Sequence, residues 1–251
     1  AGHRGGAMFG RRGARGGGSK PTGEALDGFL ARDLMRALAA GEIDILFQPQ
    51  VDIASDAIVG VEALMRWQHH ELGELGADAL LDAADRAGLA IELSAHVQQR
   101  ALAIAAAWPD ALAVLRLSVN VTADDLATPD FATTLLNRVA ASGFPADRLT
   151  VEITERGLIE DMERAANVLN VLREAGLRIA IDDFGTGYSS LAYLSQLPLD
   201  YLKLDRVLVQ DVVGSHRDRV VLRGIIALAQ SLDLTVIAEG VETDQQRELL
   251  A

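Results

Sequence analysis

The chain has 251 residues, 49% hydrophobic and 24% charged, which accommodates one α/β barrel or two small domains and argues against wholesale disorder. It contains no cysteine, so disulfides and cysteine-ligated metals are excluded. The formal net charge is −13, and residues 1–23 hold five basic residues and no acid, leaving 18 basic and 36 acidic residues, a balance of −18, in the remainder. Such an acidic body argues against binding a nucleic acid polymer and suits a site that recruits divalent cations.

No apolar stretch reaches transmembrane length and the first residues carry no signal-peptide pattern. The chain begins with Ala and reads as part of a longer protein. The expected location of this domain is the cytoplasm, with any membrane tether elsewhere in the full-length protein.

Residues 1–23 contain nine glycines and scattered arginines and read as a disordered linker or tail. An RNA-binding Gly/Arg segment is the alternative, and the near absence of interleaved aromatics counts against it. Leu30, Leu34 and Leu38 predict a helix over about Leu26–Ala39, stopped by Gly41. Ile43–Val51 and Ile58–Trp67 read as strands. Residues 77–87 and 91–107 read as helices, 115–121 as a strand and 131–141 as a helix. The pattern continues with strand 149–154, helix 160–175, strand 178–183 and a short helix from near Tyr188 or Ser189. Strand 201–205, helix 216–231, strand 235–239 and a helix from about Asp244 complete it. The alternation predicts parallel strands covered by helices. Seven strands are expected, one short of a closed eight-stranded barrel, so the sequence reads as ending before the last strand and helix. No repeat period is visible.

Buried parallel strands are near-continuous apolar runs. Here they are broken near their carboxyl ends, by Gln48, Glu62, Asn120, Glu152, Asp182 and Asp183, Lys203 and Asp205, and Glu239. Barrel closure brings such ends to one mouth. Several carboxylates sharing a mouth repel one another and protonate unless a cation neutralises them. Oxygen ligands with one amide and no cysteine select hard cations, Mg²⁺ or Mn²⁺. Such centres mostly serve phosphate chemistry, and a nearby lysine orients a water or offsets phosphate charge.

With these positions in order, the sequence resembles the EAL domains that hydrolyse the bacterial second messenger cyclic di-GMP. The resemblance runs through Gln48-Pro49, Glu62-Ala63-Leu64, Arg66-Trp67, Asn120 and Glu152-Ile153-Thr154-Glu155. It continues through Asp182-Asp183-Phe184-Gly185-Thr186-Gly187-Tyr188-Ser189-Ser190-Leu191, Lys203-Leu204-Asp205 and Ala238-Glu239-Gly240-Val241-Glu242-Thr243, covering roughly residues 26–251. It implies a (β/α)₈ TIM-like barrel of EAL type with an antiparallel first strand, spanning residues 24–251. It implies two metals, Mg²⁺ or Mn²⁺: one held by Glu62, Asn120, Glu152 and Asp182, the second by Asp182, Asp183 and Glu239. Glu239 is alternatively a general base, and Lys203 would bind the attacking water. Gln48, Leu64, Arg66 and Asp205 would contact substrate or position the ligands. Glu155 would anchor the loop after Asp183, and Glu242 would support the mouth. The implied reaction is in-line attack on one phosphodiester bond, giving linear pGpG. A homodimer is implied, as are flanking sensory or GGDEF domains.

The sequence departs from the family pattern at Gln68-His69-His70-Glu71, where prolines are usual, and lacks the family's last strand with its Gln-Gly-Tyr motif. His69-His70 reads as a solvated loop. Asp183-Phe184-Gly185 resembles the kinase metal-binding triplet, but no kinase catalytic loop accompanies it. Ser189 and Ser190 read as helix caps. The rival functions are a catalytically inactive EAL domain acting as a cyclic di-GMP receptor or protein-interaction module, and an unrelated Mg²⁺ barrel enzyme acting on carboxylate substrates.

Overall fold

The computed structural model describes residues 23–155, 161–185 and 194–250. In chain order they form α1 (Gly23–Ala40), β1 (Ile43–Val51), β2 (Ile58–His69), β3 (Gly73–Leu75), α2 (Ala77–Ala87) and α3 (Ala90–Ala106). Next come β4 (Arg116–Val121), α4 (Ala123–Ala127), α5 (Phe131–Ser142), β5 (Leu149–Thr154), α6 (Met162–Glu174) and β6 (Arg178–Phe184). The last elements are β7 (Tyr201–Leu204), α7 (Arg206–Gln210), α8 (His216–Ser231), β8 (Thr235–Ala238) and α9 (Asp244–Leu250). The Gly/Arg-rich tail and the short helix expected after Gly187 fall at residues 1–22 and 186–193, outside the described residues.

The strands form one sheet in the order β1-β2-β4-β5-β6-β7-β8, with β3 added to β2. β1 runs antiparallel to β2, and each later neighbouring pair on that path is parallel. The expected antiparallel first strand is therefore present. The seven expected strands are all present, and the described residues add one more. The extra one, β3, is a three-residue hairpin partner of Trp67–His69 and not a barrel stave. It was missed because Gly73-Glu74-Leu75 is too short for a readable period.

Alternation places apolar residues toward the helices and smaller or polar ones on the other face. On β4, Leu117, Val119 and Val121 are buried on one face; on β5, Leu149, Val151 and Ile153 are. The covering helices are striped to match. In α3 the buried positions are Ala90, Leu93, Ser94, Val97, Gln98, Ala101, Leu102 and Ala105, steps of three and four that make one helical face. Leu93, Leu102, Leu135 and Leu169 are fully buried. Each such side chain contributes roughly 2 kcal/mol of transfer free energy.

The sheet curls. Arg116, which opens β4, sits with its guanidinium carbon 5.8 Å from the ring centroid of Tyr201, which opens β7. Two intervening strands separate these residues, so only a concave face brings them together. The end strands β1 and β8 are linked at one end through α9. There the Arg247 guanidinium donates to the Ile53 carbonyl at 2.7 Å and pairs with Asp56 at 2.6 Å in the β1–β2 connection. No helix among the described residues is long and apolar enough to cross a membrane.

Candidate metal centre and active site

The concave face carries the polar residues singled out in the sequence. On β2, Glu62, Leu64 and Arg66 share it, and Gln48 of β1 lies directly opposite Glu62. Asn120 of β4 is level with Glu152 of β5, and Thr154 is level with Asp182 of β6. Lys203 of β7 is level with Ile237, two residues before Glu239.

These side chains meet around the Lys203 ammonium. Its Nζ lies 2.5 Å from Glu152, 2.8 Å from Asp182, 2.9 Å from Glu239 and 3.1 Å from Glu62. Asn120 donates from its amide to Glu62 Oε1 at 3.1 Å. Four carboxylates against one ammonium leave a formal charge of −3. An ammonium has only three N–H donors, so it cannot give each carboxylate a full bond.

The electrostatics follow from this excess. Burial, reinforced by the charges of Glu62 and Asp182 and opposed by Lys203, pushes the Glu152 carboxyl up to about 7. Burial also raises Glu239, against the pull of Lys203. Burial and then the charges of Asp182 and Asp205 raise Asp183. For Lys203, burial favours the neutral amine, but the four carboxylates prevail and hold it protonated.

The donor set fits a divalent cation. Oxygens of Glu62, Glu152 and Asp182 lie within 4.8 Å of one another. Glu152 is fully buried, and its Oε1 has no hydrogen-bond partner among the described residues. An orphaned, charge-bearing oxygen in a dry site is costly unless a cation takes it.

A break in the β6–β7 ladder brings in a fifth carboxylate. Ile181 pairs with Leu202 and Phe184 with Leu204, so Asp182 and Asp183 together oppose Lys203. Asp183 takes a left-handed conformation, φ 54°, one that aspartate tolerates better than most residues.

The family model described as "EAL domain" matches residues 31–251. The chain belongs to the EAL domain family. A similar relative is the cyclic di-GMP phosphodiesterase NbdA of Pseudomonas aeruginosa, 37% identical over 222 residues, 88% of this chain and 28% of that protein. Another is an uncharacterized signaling protein of Caulobacter vibrioides, 38% identical over 217 residues, 86% of this chain and 26% of that protein. The chain thus spans about a quarter of the length of these curated relatives. Among solved structures, the PaMucR phosphodiesterase in complex with c-di-GMP aligns with a TM-score of 0.83 at 33% identity, covering 88% of this chain and 90% of that one. The EAL enzyme Bd1971, in its cAMP- and cyclic-di-GMP-bound form, aligns at 0.84 with 29% identity, covering 93% and 64%.

The remaining sequence-selected residues of this EAL domain lie on β2 or in the segments that follow β5, β7 and β8. Asp205 caps α7, its carboxylate accepting from the Val207 N–H at 2.8 Å. Arg66 donates to the Met65 carbonyl at 2.7 Å, and Leu64 is half-buried. Glu155 is buried immediately after β5. Its expected partner, the loop after Gly185, is outside the described residues. Glu242 is exposed, and its N–H donates to Gln246, which caps the start of α9. Gly240 adjoins Glu239 with φ 67°, and a Cβ there would meet Arg206 Cγ at 2.5 Å.

Reading His69-His70 as a solvated loop is corrected for His69, which is 3% exposed and ends β2. Its Nδ1 accepts the N–H groups of Glu71 and Leu72, each at 3.2 Å, which leaves the proton on Nε2, 3.2 Å from Asp33. A metal on Nε2 would displace that proton to Nδ1, against two N–H donors. Asp33, His69 and His70 therefore form a structural cluster despite their metal-like grouping. Only the helix α1 partner, distant in sequence, distinguishes this arrangement from a loop.

Proposed function

We propose that this EAL domain hydrolyses cyclic di-GMP to linear pGpG and so lowers the level of that second messenger. One observation carries the reading: Glu62, Glu152 and Asp182 from three strands and Glu239 from just after β8 converge on one buried lysine, with a Glu152 oxygen unpartnered among the described residues. The names of NbdA and PaMucR, and the c-di-GMP in the PaMucR complex, support the substrate. The receptor-only alternative has no observation in its favour here, since each candidate ligand is present.

Glu62, Asn120, Glu152 and Asp182 would hold one Mg²⁺ or Mn²⁺, and Asp182, Asp183 and Glu239 a second. When bound, such ions neutralise phosphate charge and raise the acidity of water. Lys203 keeps its proton among the carboxylates, so it orients water and phosphate oxygen as a donor and not as a base. Glu239, raised by burial and only part-buried, would alternatively leave the second metal to the other ligands and take a proton from the attacking water. Gln48, Leu64 and Arg66 line the concave face beside Glu62 and orient the substrate there. Residues 24–251 act as the cytoplasmic phosphodiesterase domain of a longer protein, dimeric through this domain, with flanking sensory or GGDEF domains.

The test is chromatography of nucleotides after incubation of the chain with cyclic di-GMP and Mg²⁺ or Mn²⁺. Metal-dependent pGpG, lost in Glu62→Ala, supports the proposal. Binding of cyclic di-GMP without turnover would contradict it.

A further inference from the structure

A buried polar chain lies outside the centre and ends beside it. Asp125 is 2% exposed, Ser94 8% and Gln98 0%. Asp125 Oδ2 accepts three bonds: from Ser94 Oγ at 2.5 Å, from the Thr122 N–H at 3.0 Å and from Thr122 Oγ1 at 3.1 Å. Gln98 Nε2 donates to Ser94 Oγ at 2.9 Å, and Arg138 Nη1 donates to Gln98 Oε1 at 2.8 Å. One carboxylate oxygen thus ties together α3, α4 and the residue that follows β4, and Gln98 extends the chain to α5 through Arg138.

An N-terminal cap for α4 needs only Thr122 and Asp125, whose reciprocal bonds form a capping box. Ser94 and Gln98 go further. They occupy the buried stripe of α3 among Leu93, Val97, Ala101 and Leu102, positions that packing alone fills with apolar residues. Burial raises the Asp125 carboxyl despite the bonds from Ser94 and Thr122. A network of this kind costs stability unless every member is satisfied, and when satisfied it fixes one geometry.

What it fixes is the peptide after β4. Thr122 is held through both its N–H and its hydroxyl, and Val121 alone separates it from Asn120. The Asn120 amide makes one side-chain hydrogen bond among the described residues, to Glu62 Oε1. Its direction therefore depends on the backbone that carries it.

We infer that Asp125, backed by Ser94, Gln98 and Arg138, is a positioning residue that aims Asn120 at the metal centre. This rests on the metal-centre reading proposed above. The signal in the sequence was Thr122-Ala-Asp-Asp125, a capping-box spacing just after Asn120.

The test is calorimetric titration of the chain with Mg²⁺ alone, with thermal melts recorded in parallel, on the parent, Asp125→Ala, Asn120→Ala and the double variant. Asp125→Ala is expected to weaken Mg²⁺ binding by about tenfold, the scale of lost outer partners of metal ligands. In the Asn120→Ala background the same substitution is expected to change affinity by less than about twofold, because its effect runs through Asn120. Ser94→Ala replaces Asp125→Ala in the same cycle if the latter fails to fold. A lowered melting temperature with unchanged Mg²⁺ affinity would overturn the inference, as would losses that multiply in the double variant. A parent chain that binds no Mg²⁺ would overturn the metal-centre reading itself, and a result where Asn120→Ala weakens binding but Asp125→Ala does not would overturn this inference alone.

Discussion

Proton release from Glu152 ties cation binding to pH. Burial and two neighbouring carboxylates move its carboxyl from 4.5 to about 7. The folded state therefore holds more protons than the unfolded chain between those values, and the metal-free protein loses stability as pH rises through that window. Lys203 stays protonated throughout and contributes no slope there. The shift corresponds to about 3 kcal/mol, all of it expressed above pH 7. A cation on Glu152 must displace the proton, so its apparent affinity falls as pH drops below 7. From pH 7.5 to pH 5.5 a single group of this kind weakens binding by about 25-fold. Isothermal titration with Mg²⁺ at the two pH values reads this directly, and proton release appears as a buffer-dependent heat. Glu152→Gln should bind weakly with a much flatter pH dependence. Mg²⁺ affinity unchanged within about twofold between these pH values would refute the reasoning.

Lys203→Met removes the one ammonium bridging four carboxylates, and thermal melts without metal should show a loss of about 3–5 kcal/mol at pH 7.5 and less at pH 5.5, where carboxylates accept protons. An unchanged melt at pH 7.5 would contradict the charge balance described. Gly240→Ala meets both a left-handed backbone and the Arg206 side chain, so it should cost about 1–2 kcal/mol and, by displacing Glu239, lower turnover about tenfold or more. Turnover at the parent level would separate Glu239 from the chemistry. His69→Leu strands two backbone N–H groups and Asp33, so denaturant melts should show a loss of about 1–3 kcal/mol while Mg²⁺ affinity stays constant. A fall in Mg²⁺ affinity would reopen the metal reading of that cluster.

The centre was legible because its residues interrupt apolar strands. A charged side chain within Val151-Glu152-Ile153 has few explanations, and several such breaks at the same strand ends have fewer. The antiparallel β1 came from family resemblance, because Ile43–Val51 carries the same apolar signal in either direction. Three features escaped for physical reasons. β3 is shorter than any readable period. His69 is buried and faces Asp33, a contact between residues 36 positions apart that local pattern does not encode. The Ser94–Gln98–Asp125 chain looked like ordinary helix polarity, since the α3 stripe defines its buried face only once the sheet is in place. The doubling of Asp182 and Asp183 opposite one lysine likewise depends on strand register, which the sequence of β6 alone does not set.

The most direct measurement is anomalous scattering from crystals of this EAL domain equilibrated with Mn²⁺. The account predicts manganese density within bonding distance of Glu62, Asn120, Glu152 and Asp182, with Lys203 turned from the position it now shares with them, and loss of that density in Glu62→Ala. Density confined to Asp33, His69 and His70, or none at Glu62, Asn120, Glu152 and Asp182, would contradict it.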